Sequence, residues 1–318
     1  MSRTPEIYIS PTPLFNAHLQ TIYPSLFRKV NAPWHRERIT TPDNDFLDID
    51  WLKQNKKKLV IISHGLEGNS RRAYVSGMAN VFFKNDFDVL AWNYRGCSEE
   101  MNHQLRFYHS GATDDLDYVI KHVLSSGQYE AIHLIGFSLG GNLTLKYLGE
   151  QRDSVIAQLK KAVVFSVPMH LHSSCIQLSK PSNWIYSQRF LRSLKKKVIE
   201  KAKQYPELDT RNLKNINTLL EFDDQYTAPL HGFKDALDYY TQSSSIHFVS
   251  NIKVPTLIVS ALNDPFLSSE CFPLKDLKNH PNVIFEATPH GGHCGFVSFN
   301  ENGVYWSEQR ALNFIHSS

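Results

Sequence analysis

AIHLIGFSLGGNLTLKYLGE, residues 131–150, opens as an apolar run and passes through Gly136-Phe137-Ser138-Leu139-Gly140 straight into a helix-like stretch. Runs of this kind suit strands covered on both faces of a parallel sheet. A serine between a strand and a helix needs a tight, strained turn. Neighbours two residues before and two after it must then be small to avoid collision. The start of the helix sets amide N–H groups and a positive dipole end beside any negative charge that develops there. The segment is a G-x-S-x-G elbow with a strand before it and a helix after it, and Ser138 is its candidate nucleophile.

The same alternation extends on both sides. LVIIS (59–63), DVLAWNY (88–94), AVVFSV (162–167), PTLIVSA (255–261) and NVIFEAT (282–288) are further apolar runs, with helix-like stretches at 72–84, 113–125 and 139–150. RERITTP and DFLDIDWL flank the turn residues Pro42, Asp43 and Asn44 and predict an antiparallel hairpin. Together these elements predict a doubly wound, mostly parallel α/β sheet of eight strands. Residues 1–30 carry four prolines and are expected to form an extended arm broken by turns. Residues 168–253 read as mostly helical and are far too long for an ordinary crossover. They are expected to form a helical cap inserted into a core of residues 1–167 and 254–318.

Composition narrows the function. With 318 residues, 42% of them hydrophobic and 20% charged, the chain can bury a full core unaided. Its net charge of +3 lacks the concentrated basic excess of a polyanion binder, so no nucleic-acid partner is expected. The four cysteines have neither disulfide-framework nor metal-ligand spacing, so no metal is expected and a reducing compartment is. No leader-like or membrane-spanning segment is visible, and a cytoplasmic location is expected.

A serine nucleophile needs a base, and the base needs an orienting carboxylate. On α/β-hydrolase folds the chain order is serine, acid, histidine. Asp264 follows the strand PTLIVSA, and His293 lies in the glycine-rich loop TPHGGHCG after the last strand. His290 and Asp276 are the rival base and acid; spacing favours His293, and Asp276 reads as a solvated helix residue. The amides of Leu139 and of Leu66, in SHGLEG, are the expected oxyanion donors. His64 in that loop is expected to be structural. An acidic residue at the elbow would suggest haloalkane or epoxide chemistry, and Ser138 speaks against both.

The chain resembles α/β-hydrolases of the YheT-like subgroup, which includes eukaryotic membrane-anchored esterases and yeast ethyl ester synthases. The resemblance rests on FNAHLQTIYPSL, HGLEGNS, NYRGCS (93–98), YHSGATDDL (108–116), GFSLGGN, EFDDQYTAPLHGF (221–233), ALNDP and GGHCGF. It implies a Ser138–Asp264–His293 triad, a helical cap and an ester or lipid-like acyl substrate, with no cofactor. Hydrolysis is the implied reaction. Acyl transfer to an alcohol, or a non-catalytic ligand-binding fold, is the alternative. Membrane residence does not carry over, because the anchor of the eukaryotic members is not seen here. His18 and Gln20 are expected to pin the N-terminal arm, Arg95 and Gly96 to shape a loop, and Asp223 and Asp224 to tie the inserted helices. Cys294 is expected to pack as a small hydrophobe.

Within the cap, residues 190–205 place apolar side chains at helical spacing, and residues 189–203 hold seven basic groups and one acid. That segment contributes 7 − 1 = +6, which leaves the rest of the chain at +3 − 6 = −3. Such a helix is compatible with weak contact to an anionic membrane surface. The expected arrangement has its apolar stripe on the hydrolase core and its lysines in solvent.

Overall fold

The structure, a computed structural model, describes residues 7–317. Its centre is one eight-stranded sheet: β1 (His35–Thr40), β2 (Phe46–Leu52), β3 (Lys58–Ser63), β4 (Asp88–Trp92), β5 (Ala131–Phe137), β6 (Leu159–Phe165), β7 (Thr256–Ala261) and β8 (Val283–Thr288). The spatial order is β1-β2-β4-β3-β5-β6-β7-β8. β1–β2 and β2–β4 are antiparallel, and every other pair is parallel. β4 is buried along its whole length, and β3 and β5 beyond their first residues, as near-continuous apolar runs require when both faces are covered. β2 is buried throughout as well, its Asp48 and Asp50 paired with Arg38 and Arg36.

Eleven α-helices are described: α1 (Ala17–Phe27), α2 (Ala73–Phe83), α3 (Thr113–Ser125), α4 (Leu139–Gln151), α5 (Leu171–Leu178), α6 (Trp184–Ala202), α7 (Leu219–Phe222), α8 (Ala228–Leu230), α9 (Ala236–Ser243), α10 (Leu274–Leu277) and α11 (Trp306–His316). α7 and α8 are joined by a π-helical turn, Asp223–Thr227. Two apolar clusters are built on the sheet; one includes Val119, Leu134 and Leu143, the other Met78, Phe165 and Phe314. α5 to α9, between β6 and β7, enclose a third cluster around Leu191, Val198, Phe222 and Tyr226.

Three expectations need correction. The N-terminal segment is not an extended arm over its whole length, because α1 occupies Ala17–Phe27. The Asn16 side chain caps it by accepting from Leu19 N at 2.9 Å, and Pro24 sits inside it. Residues 1–6, with Pro5, lie outside the described residues. The basic helix α6 begins six residues before the expected segment. Its stripe packs into the insertion's own apolar cluster, and not all its lysines are solvated. Lys201 is completely buried, with Nζ 2.6 Å from the Gln104 carbonyl and 3.0 Å from Asn102 Oδ1.

Arg95 shapes its loop through buried bidentate bonds to Asp115 and a 2.7 Å bond to Asp45 Oδ2. Among the described residues no helix is long and apolar enough to cross a membrane.

Candidate active site

Ser138 stands between β5 and α4 with φ 53° and ψ −118°, a conformation that L side chains rarely adopt. The flanking glycines make that turn possible. A Cβ on Gly136 would lie 2.5 Å from the Gly140 carbonyl oxygen, and one on Gly140 would overlap the carbonyls of Ser63 and His64. The elbow therefore packs directly on the end of β3, which brings the SHGLEG loop beside the serine.

His293 Nε2 lies 2.9 Å from Ser138 Oγ. Its Nδ1 lies 2.9 Å from Asp264 Oδ2 and 3.1 Å from Oδ1. Asp264 also accepts from Phe266 N at 2.9 Å, and the Phe266 ring stacks on the imidazole at 4.1 Å. Burial alone would lower the imidazole pKa, but the adjacent Asp264 carboxylate together with the Cys294 side chain outweighs it and holds His293 above the usual histidine range. His290 and Asp276 are exposed and outside this cluster.

The loop that carries His293 is held by four successive amides, each donating to a side chain from elsewhere. Gly291 N donates to Gln20 Oε1 (2.9 Å), Gly292 N to Asn263 Oδ1 (3.1 Å), His293 N to Thr21 Oγ1 (2.9 Å) and Cys294 N to Ser166 Oγ (2.8 Å). Gln20 Oε1 also accepts from Asn263 Nδ2 at 2.9 Å, so one buried amide ties the histidine loop to the Asp264 loop. Gln20 thus does more than pin the N-terminal segment. Sequence reasoning missed Thr21, Asn263 and Ser166. The signal available was a polar residue on the inner face of AHLQT and another one place before Asp264.

Leu66 and Leu139 both line the cleft beside Ser138. Among the described residues neither backbone N–H donates to a protein acceptor, which leaves both able to receive a negative oxygen. His64 orders the Leu66 loop: Nδ1 lies 2.8 Å from the Gly65 carbonyl, and Nε2 accepts from Tyr94 N at 3.3 Å. An amide donor at Nε2 puts the proton on Nδ1, and burial lowers the pKa to about 3, so this imidazole stays neutral.

The next residue, Glu67, joins the loop to the insertion. Its carboxylate accepts from Tyr108 OH (2.7 Å), Lys197 Nζ (2.7 Å) and the Ser193 hydroxyl. Lys197, expected in solvent, is therefore a largely shielded tie from α6 to the loop beside the serine.

The cleft encloses about 830 Å³, its open mouth included. Core loops supply Ser138, His293, Leu66 and Phe266; the insertion supplies mainly apolar walls such as Leu171, Leu178, Phe190 and Leu219. Asp223 is the one carboxylate that the insertion places in this lining. Expected only to tie helices, it faces the cleft from the π-helical turn and accepts from Tyr240 OH at 2.6 Å and Thr227 Oγ1 at 2.5 Å. Burial raises its pKa to about 6. Asp224 does tie the inserted helices, accepting from Ala236 N at 3.1 Å.

Comparison with known proteins agrees with this fold. A sequence profile described as alpha/beta hydrolase fold matches residues 58–299. The YheT protein of Escherichia coli (strain K12) is 34% identical over 291 residues, covering 89% of this chain and 84% of that one. Phospholipase ABHD3 of Bos taurus is 28% identical over 285 residues, covering 86% of this chain and 69% of that one. Among solved structures, the Pyrococcus furiosus esterase Pf2001 superposes with a TM-score of 0.58 at 18% identity, over 91% of this chain and 97% of that one. The chain belongs to the α/β-hydrolase family, in the group that contains YheT.

Proposed function

We propose that the chain is a carboxylic ester hydrolase that forms an acyl-enzyme on Ser138. The observation that carries this reading is the unbroken line Asp264–His293–Ser138, with 2.9 Å at each step. Ser138 Oγ attacks the ester carbonyl and gives its proton to His293 Nε2, while Asp264 stabilises the imidazolium. The amides of Leu66 and Leu139 receive the tetrahedral oxyanion; loss of one such donor typically costs ~3 kcal/mol of barrier. The imidazolium protonates the departing alcohol. The same histidine then activates the water that releases the acid.

No step draws on a cofactor. The apolar walls from the insertion favour an acyl or lipid-like substrate, because transfer of its chain into the cleft removes apolar surface from water.

Hydrolysis of p-nitrophenyl esters of increasing acyl length by the wild type and Ser138→Ala tests the proposal. The variant is expected to fall ~10⁴-fold or more in kcat. Near-wild-type turnover by Ser138→Ala overturns it.

A further inference from the structure

α1 is amphipathic in reverse. Its buried residue is Gln20, which with Thr21 faces the catalytic loops. Along the outer side run Phe15, just before the helix, then Leu19, Ile22 and Leu26, at spacings of four, three and four. Phe15, Leu19 and Leu26 are 77%, 36% and 63% exposed. The first turn of α6 adds Trp184 and Ile185, 63% and 68% exposed. The two elements meet where the His18 ring stacks on Tyr186, with Nδ1 3.0 Å from the hydroxyl, and where Arg189 Nη1 reaches Ser25 Oγ at 3.5 Å.

Along these two segments the formal charge has one sign, and Glu308, the carboxylate that pairs with α1's C-cap Arg28, is itself buried. No Asp or Glu occurs at positions 7–36 or 184–199. Lys195 and Lys197 are engaged inward, on the Ile216 carbonyl and Glu67, while Arg189, Arg192 and Lys196 remain exposed along α6.

We propose that the outer side of α1 and the first turn of α6 form a docking face for an anionic lipid surface. Large exposed apolar side chains grouped on one face mark an interaction site more often than scattered ones do. An aromatic and aliphatic face bordered by cations matches a surface that is negative outside and apolar beneath. The contact lies ahead of the 190–205 stripe, whose Leu191 and Val198 are buried inside the insertion. It also adjoins the catalytic site, since Tyr186 packs on Phe266 at 4.7 Å and Phe266 on His293 at 4.1 Å. Docking there would set the cleft beside the lipid.

Sedimentation of the full chain with vesicles tests this without any turnover. Vesicles of phosphatidylcholine mixed with phosphatidylglycerol should bind the protein, and phosphatidylcholine alone should bind it much less. A Leu26→Ser/Trp184→Ser/Ile185→Ser variant should lose about tenfold or more in vesicle affinity while keeping its thermal midpoint, these side chains being already in water. Arg189→Glu/Arg192→Glu/Lys196→Glu should lose the preference for the anionic lipid. The proposal is overturned if the wild type ignores the anionic vesicles or if the serine variant binds them undiminished. It is equally overturned if the wild type is a dimer that the serine variant turns into monomer with no vesicle binding, which would assign the face to a second copy. Hydrolysis of p-nitrophenyl acetate is read separately: vesicle binding without hydrolysis would break the esterase reading and leave this one standing.

Discussion

The sheet core and the helical insertion hold themselves together in different ways. In the core, strands such as β3 and β5 bury consecutive apolar residues on both faces, and the groups at the cleft sit on short loops at the strand ends. The insertion has its own apolar cluster and reaches the core partly through buried polar ties. Lys197 bonds Glu67, Lys201 bonds carbonyls near Asn102, Asn142 Nδ2 donates to the Ser243 carbonyl at 2.8 Å, and Asn183 Nδ2 donates to the Pro265 carbonyl at 2.7 Å. Apolar packing fixes the strands, short amide-to-side-chain bonds fix the His293 loop upon them, and discrete ties between the two regions set the outer wall of the cleft. Damage to the core should therefore abolish turnover for every substrate, and damage to a tie should change selectivity and local stability first.

The largest effect is expected in the core. Asp264→Asn should reduce kcat by ~10⁴-fold on short and long esters alike, since the imidazole loses the carboxylate that orients and charges it. The pH profile carries a sign as well. Asp264 raises the His293 pKa, so the rate should climb with pH as the imidazolium deprotonates, and in Asp264→Asn that rise should move to lower pH.

Next in size is the tie between regions. Lys197→Met leaves Glu67 buried without its cation, at a cost of about 3 kcal/mol. Proteolysis within α6 should be faster and long-chain esters more affected than p-nitrophenyl acetate. Adding Glu67→Gln should restore part of the stability; equal loss on all esters in the single variant would dissolve the distinction between core and insertion.

Thr21→Val tests whether α1 belongs functionally with the core. It removes the acceptor for His293 N, and a histidine displaced by a fraction of an ångström should cost ~10–100-fold in kcat with little change in KM.

The smallest effect is expected at Asp223. Its folded pKa of about 6 lies above the ordinary carboxyl value, so its stabilising contribution is complete at acidic pH and lost as pH rises through 6. Asp223→Asn should flatten the thermal midpoint between pH 4 and 7, a change on the order of 2 kcal/mol, leaving short-ester turnover nearly intact.

The strand pattern was legible because burial on both faces demands unbroken apolar runs, and the elbow because a strained serine demands small neighbours. Chain order then pointed to Asp264 and His293, which lie within hydrogen-bond distance of one another and of Ser138 as a line. α1 was not legible: its exposed side is apolar, its buried side is a glutamine, and Pro24 reads as a break, so the usual periodicity is inverted. The cap-helix lysines were misjudged for a related reason. Spacing along a helix says which residues share a face, but not that Glu67, 130 positions away from Lys197, waits to pair with one of them. Asn142 sits in GFSLGGN, yet its bonds to the Ser110 and Ser243 carbonyls could not be read from that string.

The most direct test of the central claim is intact-protein mass spectrometry after treatment with a fluorophosphonate, followed by peptide mapping. One adduct per chain is expected, on Ser138, absent in Ser138→Ala and greatly slowed in His293→Ala. Stoichiometric labelling of Ser138→Ala, or a wild-type adduct mapped to another residue, would contradict it.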